Sequence, residues 1–254
     1  MQPTPRLYAS QVRKGAETLG VPLPPALVEQ LDHADNLTHT AETMLRGAGD
    51  LNEAVLDAIE AGRAFHTDKA VQRLVIERML ANQGHGIADA ARRRSMQQQR
   101  ATLVEFADVV LDEWADALSE HSAALTIAAT ELGVDNLDDV RSVITRGPAA
   151  VQQWSDAQRA TTMWAAAVQG FTGFADAARI DYSGHKALIF ADADAAGLTA
   201  VRQTARRLDA WNLARHGLPL ELATLDEFRA RVERHEGAAD DYEQEFELAD
   251  NRIG

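Results

Sequence analysis

The chain has 254 residues, 46% of them apolar, which suffices for a substantial core in one large domain or two small ones. It contains no cysteine, which excludes disulfides, thiolate metal sites and a cysteine nucleophile, and its formal net charge of −14 opposes general affinity for nucleic-acid phosphates. The opening Met1-Gln-Pro-Thr-Pro-Arg6 lacks the basic-then-apolar pattern of a secretion signal, and no run of about 18 uncharged apolar residues occurs, so a cytoplasmic protein without a membrane span is expected.

In chain order the sequence reads as helix after helix. A short helix around Ser10–Leu19 is followed by the Val21-Pro-Leu-Pro-Pro25 turn and a helix from Ala26 to Arg46, ended by Gly47 and Gly49. Leu51, Val55 and Ile59 mark a short helix, and Thr67-Asp68 caps another that runs to Asn82. From Ile87 to Leu132 there is neither proline nor glycine, and Leu103, Phe106, Val110, Trp114, Leu118, His121, Leu125, Ala128 and Leu132 recur close to every 3.6 residues. One continuous helix over about 87–132 would span ~68 Å. Its period lies nearer 3.6 than 3.5, which favours a helix packed in a bundle over a supercoiled seam.

Gly133 closes that helix, Asp135 is expected to cap a helix over Asn136–Arg146, and Pro148 suits the first turn of the next. Val151, Trp154, Thr161, Trp164, Val168, Phe171 and Ala175 keep a helical stripe despite Gly170 and Gly173. The Asp181-Tyr-Ser-Gly184 cluster marks a boundary between a helical domain over 1–180 and a smaller helical or α/β subdomain over 185–236. In the latter, 186–191 and 218–222 are candidate strands, Leu198, Val201, Ala205, Leu208 and Trp211 define a helix, and Thr224-x-x-Glu227 is a capping box. Residues 237–254 show no regular apolar period and read as an acidic mobile tail.

Charge is polarised along the chain. Residues 66–100 carry seven Lys/Arg against three Asp/Glu, whereas 101–139 carry ten Asp/Glu and no Lys/Arg. Arg92, Arg93 and Arg94 form a compact cationic patch with few aromatic neighbours to stack bases, which points to an acidic protein surface as partner. Glu105, Asp108, Asp112 and Asp116 supply the complementary anionic contact, and the two blocks are expected to pair within the chain or between copies. Asp35, His39 and Glu42 stand at helical spacing, as a metal or acid–base site would require, with solvated helix surface as the plainer reading. His121, on the apolar stripe, reads as a neutral hydrogen-bonded core residue.

One segment resembles a known family. In Ala187–Leu208, the apolar Leu188-Ile189-Phe190 followed by Asp192-Ala-Asp194-Ala-Ala196-Gly197 at a helix start resembles the Asp-x-Asp-x-Ala-Gly element of Toprim domains in primases and related enzymes. The resemblance implies Asp192 and Asp194 as Mg²⁺ ligands for phosphoryl chemistry on nucleic acid, and two neighbouring carboxylates form the hard-oxygen donor set that Mg²⁺ prefers. In a chain without other cradle or nucleophile motifs, the same Asp-x-Asp also reads as a helix N-cap.

These features predict a mainly α protein, a multi-helix bundle with one long helix, with a helical or small α/β element in its C-terminal part. The expected function is assembly or interaction with proteins, further copies of itself included, without a cofactor or membrane contact. Leu103, Phe106, Val110, Trp114, Leu118 and Leu125 would be its core or interface. A Mg²⁺-dependent nucleic-acid enzyme built on Asp192 and Asp194 is the alternative.

Overall fold

The structure, a computed structural model, describes residues 4–46, 50–82, 84–205 and 207–250, and their side chains except at 44–46, 80–82, 84–85 and 238–250. Ten α-helices and no strand occur among the described residues: α1 Pro5–Leu19, α2 Pro25–Arg46, α3 Leu51–Glu60, α4 Lys69–Asn82, α5 Gly84–Glu131, α6 Val140–Ile144, α7 Pro148–Ala178, α8 Ala195–Thr204, α9 Ala210–Arg215 and α10 Leu225–Asp250. The expected helical architecture and the single long helix are both present. α6 is shorter than its sequence suggests. The Asp138 N–H donates to Asn136 Oδ1 at 2.9 Å, a local turn that competes with helix, and Asp139 then caps the helix through the Ser142 N–H.

Two compact units divide the chain. Residues 1–24 with 103–254 form unit 1, and 25–102 form unit 2. The division expected at 181–184 is not where the packing divides. Asp181–Gly184 interrupts helix but not core, since Ala187, Leu188 and Ile189 beyond it are buried and Phe190 stacks on Trp164 with ring centroids 5.8 Å apart.

Unit 1 is organised by α1, α7 and the part of α5 from Leu103 onward. Leu103, Val110, Trp114, Leu118 and Leu125 are buried as expected, Phe106 is half-buried, and Ala107 and Leu111 join the same face. His121 is half-buried at the edge of that face, so the expected core histidine is only a flank residue. The glycines of α1 and α7 have a packing reason. A Cβ on Gly170 would lie 2.2 Å from the Trp114 ring and one on Gly15 2.8 Å from it, so the indole occupies a slot that only hydrogen atoms can line. A Cβ on Gly173 would meet the Tyr8 carbonyl oxygen at 2.9 Å, so the α1 and α7 backbones approach closely there. Trp114 also lies against Phe174, and Phe171 against Phe228 of α10.

Of the two alternatives for the C-terminal part of unit 1, the helical one is present: 186–191 and 218–222 are not strands. Residues 186–189 form a 3-10 turn, with the Leu188 N–H bonded to the His185 carbonyl and the Phe190 N–H to the Ala187 carbonyl. Two bonds, Glu221 N–H to Phe190 O at 2.7 Å and Ala223 N–H to Ile189 O at 3.1 Å, join this stretch to the extended chain around 221–223 without extending into a ladder. The guanidinium of Arg231, only 3% exposed, donates to the Leu188 carbonyl at 3.1 Å and the Glu221 carbonyl at 3.0 Å. It thereby satisfies acceptors that a strand partner would otherwise take. In the acidic segment expected to be a mobile tail, the backbone of α10 continues past Gly237 to Asp250, and residues 251–254 lie outside the described residues. The segment's alanine, glutamate, glutamine and leucine residues favour helix, and one glycine, at about 1 kcal/mol, does not stop it.

Unit 2 joins α2, α3, α4 and the beginning of α5. Leu27, Leu31 and Ala34 of α2 are buried, with Ala58 of α3 and Val71 of α4. α2 and α5 are linked by a polar seam: Thr102 Oγ1 donates to Gln30 Oε1 at 2.9 Å, Gln99 Nε2 to Asp35 Oδ1 at 2.9 Å, and Arg92 to Glu42 Oε1 through two nitrogens at 2.8 and 3.2 Å. The partners descend on one helix as they ascend on the other, which makes the two helices antiparallel. Ser95, Gln99 and Thr102 are buried in α5, which explains why its apolar stripe begins only at Leu103.

Candidate functional site

Asp194 is the N-cap of α8, its Oδ1 accepting the Gly197 N–H at 2.7 Å. Both oxygens of Asp192 accept from one guanidinium nitrogen of Arg234, at 2.9 and 2.8 Å. Each aspartate thus has a protein partner of its own, and no strand leads into the pair. No group of three or more His, Asp or Glu residues arranged to hold a metal ion occurs among the described residues.

The other polar candidates are likewise engaged in structure. Asp35 and Glu42 belong to the seam with α5 and His39 is exposed beside them, so the three do not converge on a common site. Arg92 pairs with Glu42 and lies 3.7 Å from Asp89, both within its own unit, while Arg93 and Arg94 are exposed. Asp108 accepts the Leu225 N–H at 2.7 Å and so helps to start α10, beside the reciprocal bonds of Thr224 and Glu227 at 2.9 and 3.1 Å. This supplies acceptors for donors that no helical carbonyl reaches. Glu105, Asp112 and Asp116 are exposed. Partial burial, then the neighbouring carboxylates of Glu227, Asp108 and Asp116, push the Asp112 carboxyl above its usual range. The acidic block is in part a device for opening α10, and in part an exposed anionic face.

What remains unexplained by internal packing is apolar. On α4, Val71 is buried and Leu74 half-buried on one side, while Val75, Ile76 and Met79 are exposed on the other, Ile76 at 57% and Met79 at 59%. At about 100° per residue, Gln72, Ile76 and Met79 share a face turned away from Leu74, and Val75 lies at its edge, beside Val71. Lys69 and Arg73 border that face, and a shallow groove of about 410 Å³ lies along Lys69, Gln72, Arg73, Ile76 and Glu77. Arg73 holds Glu77 one turn on, at 2.7 Å. The neighbouring α3 behaves similarly, burying Ala58 but exposing Leu56 and Ile59 by more than half, and Phe65 between the helices is 47% exposed. α4 is fixed at its start by Asp68, whose Oδ1 accepts the Ala70 N–H at 2.8 Å and whose carboxylate also pairs with Arg63.

A broad apolar face on a helix is ordinarily covered across its whole width. The basic flank of α4 lies in the residue 66–100 block that the charge pattern singled out, but the exposed apolar face did not appear in the sequence reading. Its signal was there: Val71, Leu74, Val75, Ile76 and Met79 spread over more than half of the helix circumference and leave Lys69, Arg73 and Glu77 as its polar side. No helix is long and apolar enough to cross a membrane among the described residues. No protein-family model, curated protein or solved structure matches this chain.

Proposed function

We propose that the chain is a helical assembly protein that acts through contact with protein surfaces, further copies of itself among them. One observation carries this reading: α4 buries one apolar side within unit 2 and exposes another, with Ile76 and Met79 each more than half accessible. Scattered surface leucines and isoleucines are ordinary, but an apolar face on a helix already packed by its other face favours an intermolecular cover. The charge pattern supports the same reading, because the basic stretch 66–100 and the acidic surface of α5 are opposite in sign and suit a contact within the chain or between copies.

The test is the molar mass of the purified chain by mass photometry and light scattering across micromolar concentrations, alone and with nucleic acid. The expected result is a mass above the monomer's 27.7 kDa that rises with concentration and is unchanged by nucleic acid. A monomer at every concentration would sink the reading.

A further inference from the structure

The outer face of α4 sets three requirements on an occupant. It must bring apolar side chains to Val75, Ile76 and Met79, carry negative charge toward Lys69 and Arg73, and be narrow enough for a groove along a single helix. An acidic amphipathic helix meets all three. Nucleic acid meets only the second, and the apolar residues and Glu77 in the groove weigh against a polyanion.

Such a helix exists in every copy of this chain. The backbone of α10 is helical through Asp250, and in the sequence Ala239, Tyr242, Phe246 and Ala249 recur at intervals of three, four and three, the spacing of one helix face. Between them stand Asp240, Asp241, Glu243, Glu245 and Glu247, and no lysine or arginine occurs from 238 to 250. The earlier half of α10 is anchored in unit 1, where Phe228 and Arg231 are buried.

Building on the self-association reading, we propose that residues 238–250 of one copy dock on the Lys69/Arg73/Ile76/Met79 face of α4 in a second copy. In character, the apolar Tyr242 and Phe246 suit the exposed Ile76 and Met79, and the acidic residues between them suit Lys69 and Arg73. The contact is heterologous, a tail on a groove, so two copies close a dimer by exchanging tails and more copies extend as a ring or chain.

The test uses the full chain and two variants, Ile76→Glu/Met79→Glu on the groove and Tyr242→Ser/Phe246→Ser on the tail. The groove substitutions are at exposed positions and glutamate favours helix, so helical content and thermal melting should match the parent. Each variant alone should associate at least about tenfold more weakly than the parent in analytical ultracentrifugation. Mixed with each other, the two variants should recover a complex, because the intact tail of one meets the intact groove of the other. Parent association that both variants retain overturns the proposed contact and leaves self-association standing on another surface. Variants that weaken alone but do not complement in the mixture also overturn it, since the two faces would then not be partners. A parent that is monomeric throughout removes both readings together, including the case in which a tail docks on its own copy.

Discussion

Trp114 has almost no room around it, and this makes the two glycines beside it the most sensitive positions in unit 1. A glycine in a helix interior ordinarily costs about 1 kcal/mol relative to alanine, so Gly→Ala at an open position should stabilise. Gly86 of α5 is such a position, with nothing within 4 Å of an added Cβ. At Gly170 the added methyl would overlap the indole at 2.2 Å, and Trp114, 0% exposed, is hemmed in by Phe174. Overpacking of this kind costs about 1–3 kcal/mol or more and outweighs the helix gain. Gly170→Ala is therefore expected to lower stability by about 2 kcal/mol in urea unfolding while Gly86→Ala raises it slightly, and Trp114→Ala should cost roughly 3–5 kcal/mol. Equal stability of Gly170→Ala and Gly86→Ala would mean that the slot is absent. The stripe containing Trp114 was legible, because period alone reports which side of a helix is apolar. The slot was not, because it is made by residues of three helices that no local spacing connects, and in one dimension Gly170 reads only as a weak point.

At the scale of elements, legibility follows the distance over which the determining bonds act. The start of α10 and the start of α8 were both readable, because Thr224 with Glu227 and Asp194 with Gly197 bond within three residues. The 3-10 turn at 186–189 was not, because what replaces a strand partner is Arg231, bonded to the Leu188 carbonyl 43 residues away. Residues 186–191 have the apolar composition of a strand, and tertiary hydrogen bonding decides against it. The same local geometry bears on the Toprim resemblance. If Asp194 serves as a cap, Asp194→Asn should leave stability nearly unchanged and Asp194→Ala should cost about 1 kcal/mol. Calorimetric titration with Mg²⁺ and Mn²⁺ of the parent and of Asp192→Asn/Asp194→Asn is expected to give the same absence of saturable binding. Binding in the parent that the double variant loses would instead favour the metal-dependent enzyme.

For the whole molecule, the question is whether charge helps or hinders contact between copies. A formal charge of −14 makes copies repel at long range, whereas the basic flank of α4 against acidic helix attracts at short range. Screening separates the two. At about 0.15 M salt the Debye length is already ~8 Å, so repulsion between charges on distant parts of two copies has largely gone, while pairs in contact at about 4 Å still interact. Raising salt further toward about 1 M, where the Debye length is ~3 Å, then acts mainly on the contact pairs. Self-association should therefore strengthen from low salt to about 0.15 M and weaken from there to about 1 M. It should not vanish, because burial of Ile76 and Met79 against an apolar partner is not screened. Sedimentation equilibrium at three chloride concentrations, at fixed protein concentration, follows this curve. Association that rises steadily to the highest salt would show that apolar burial alone drives the contact and that Lys69 and Arg73 have no part in it.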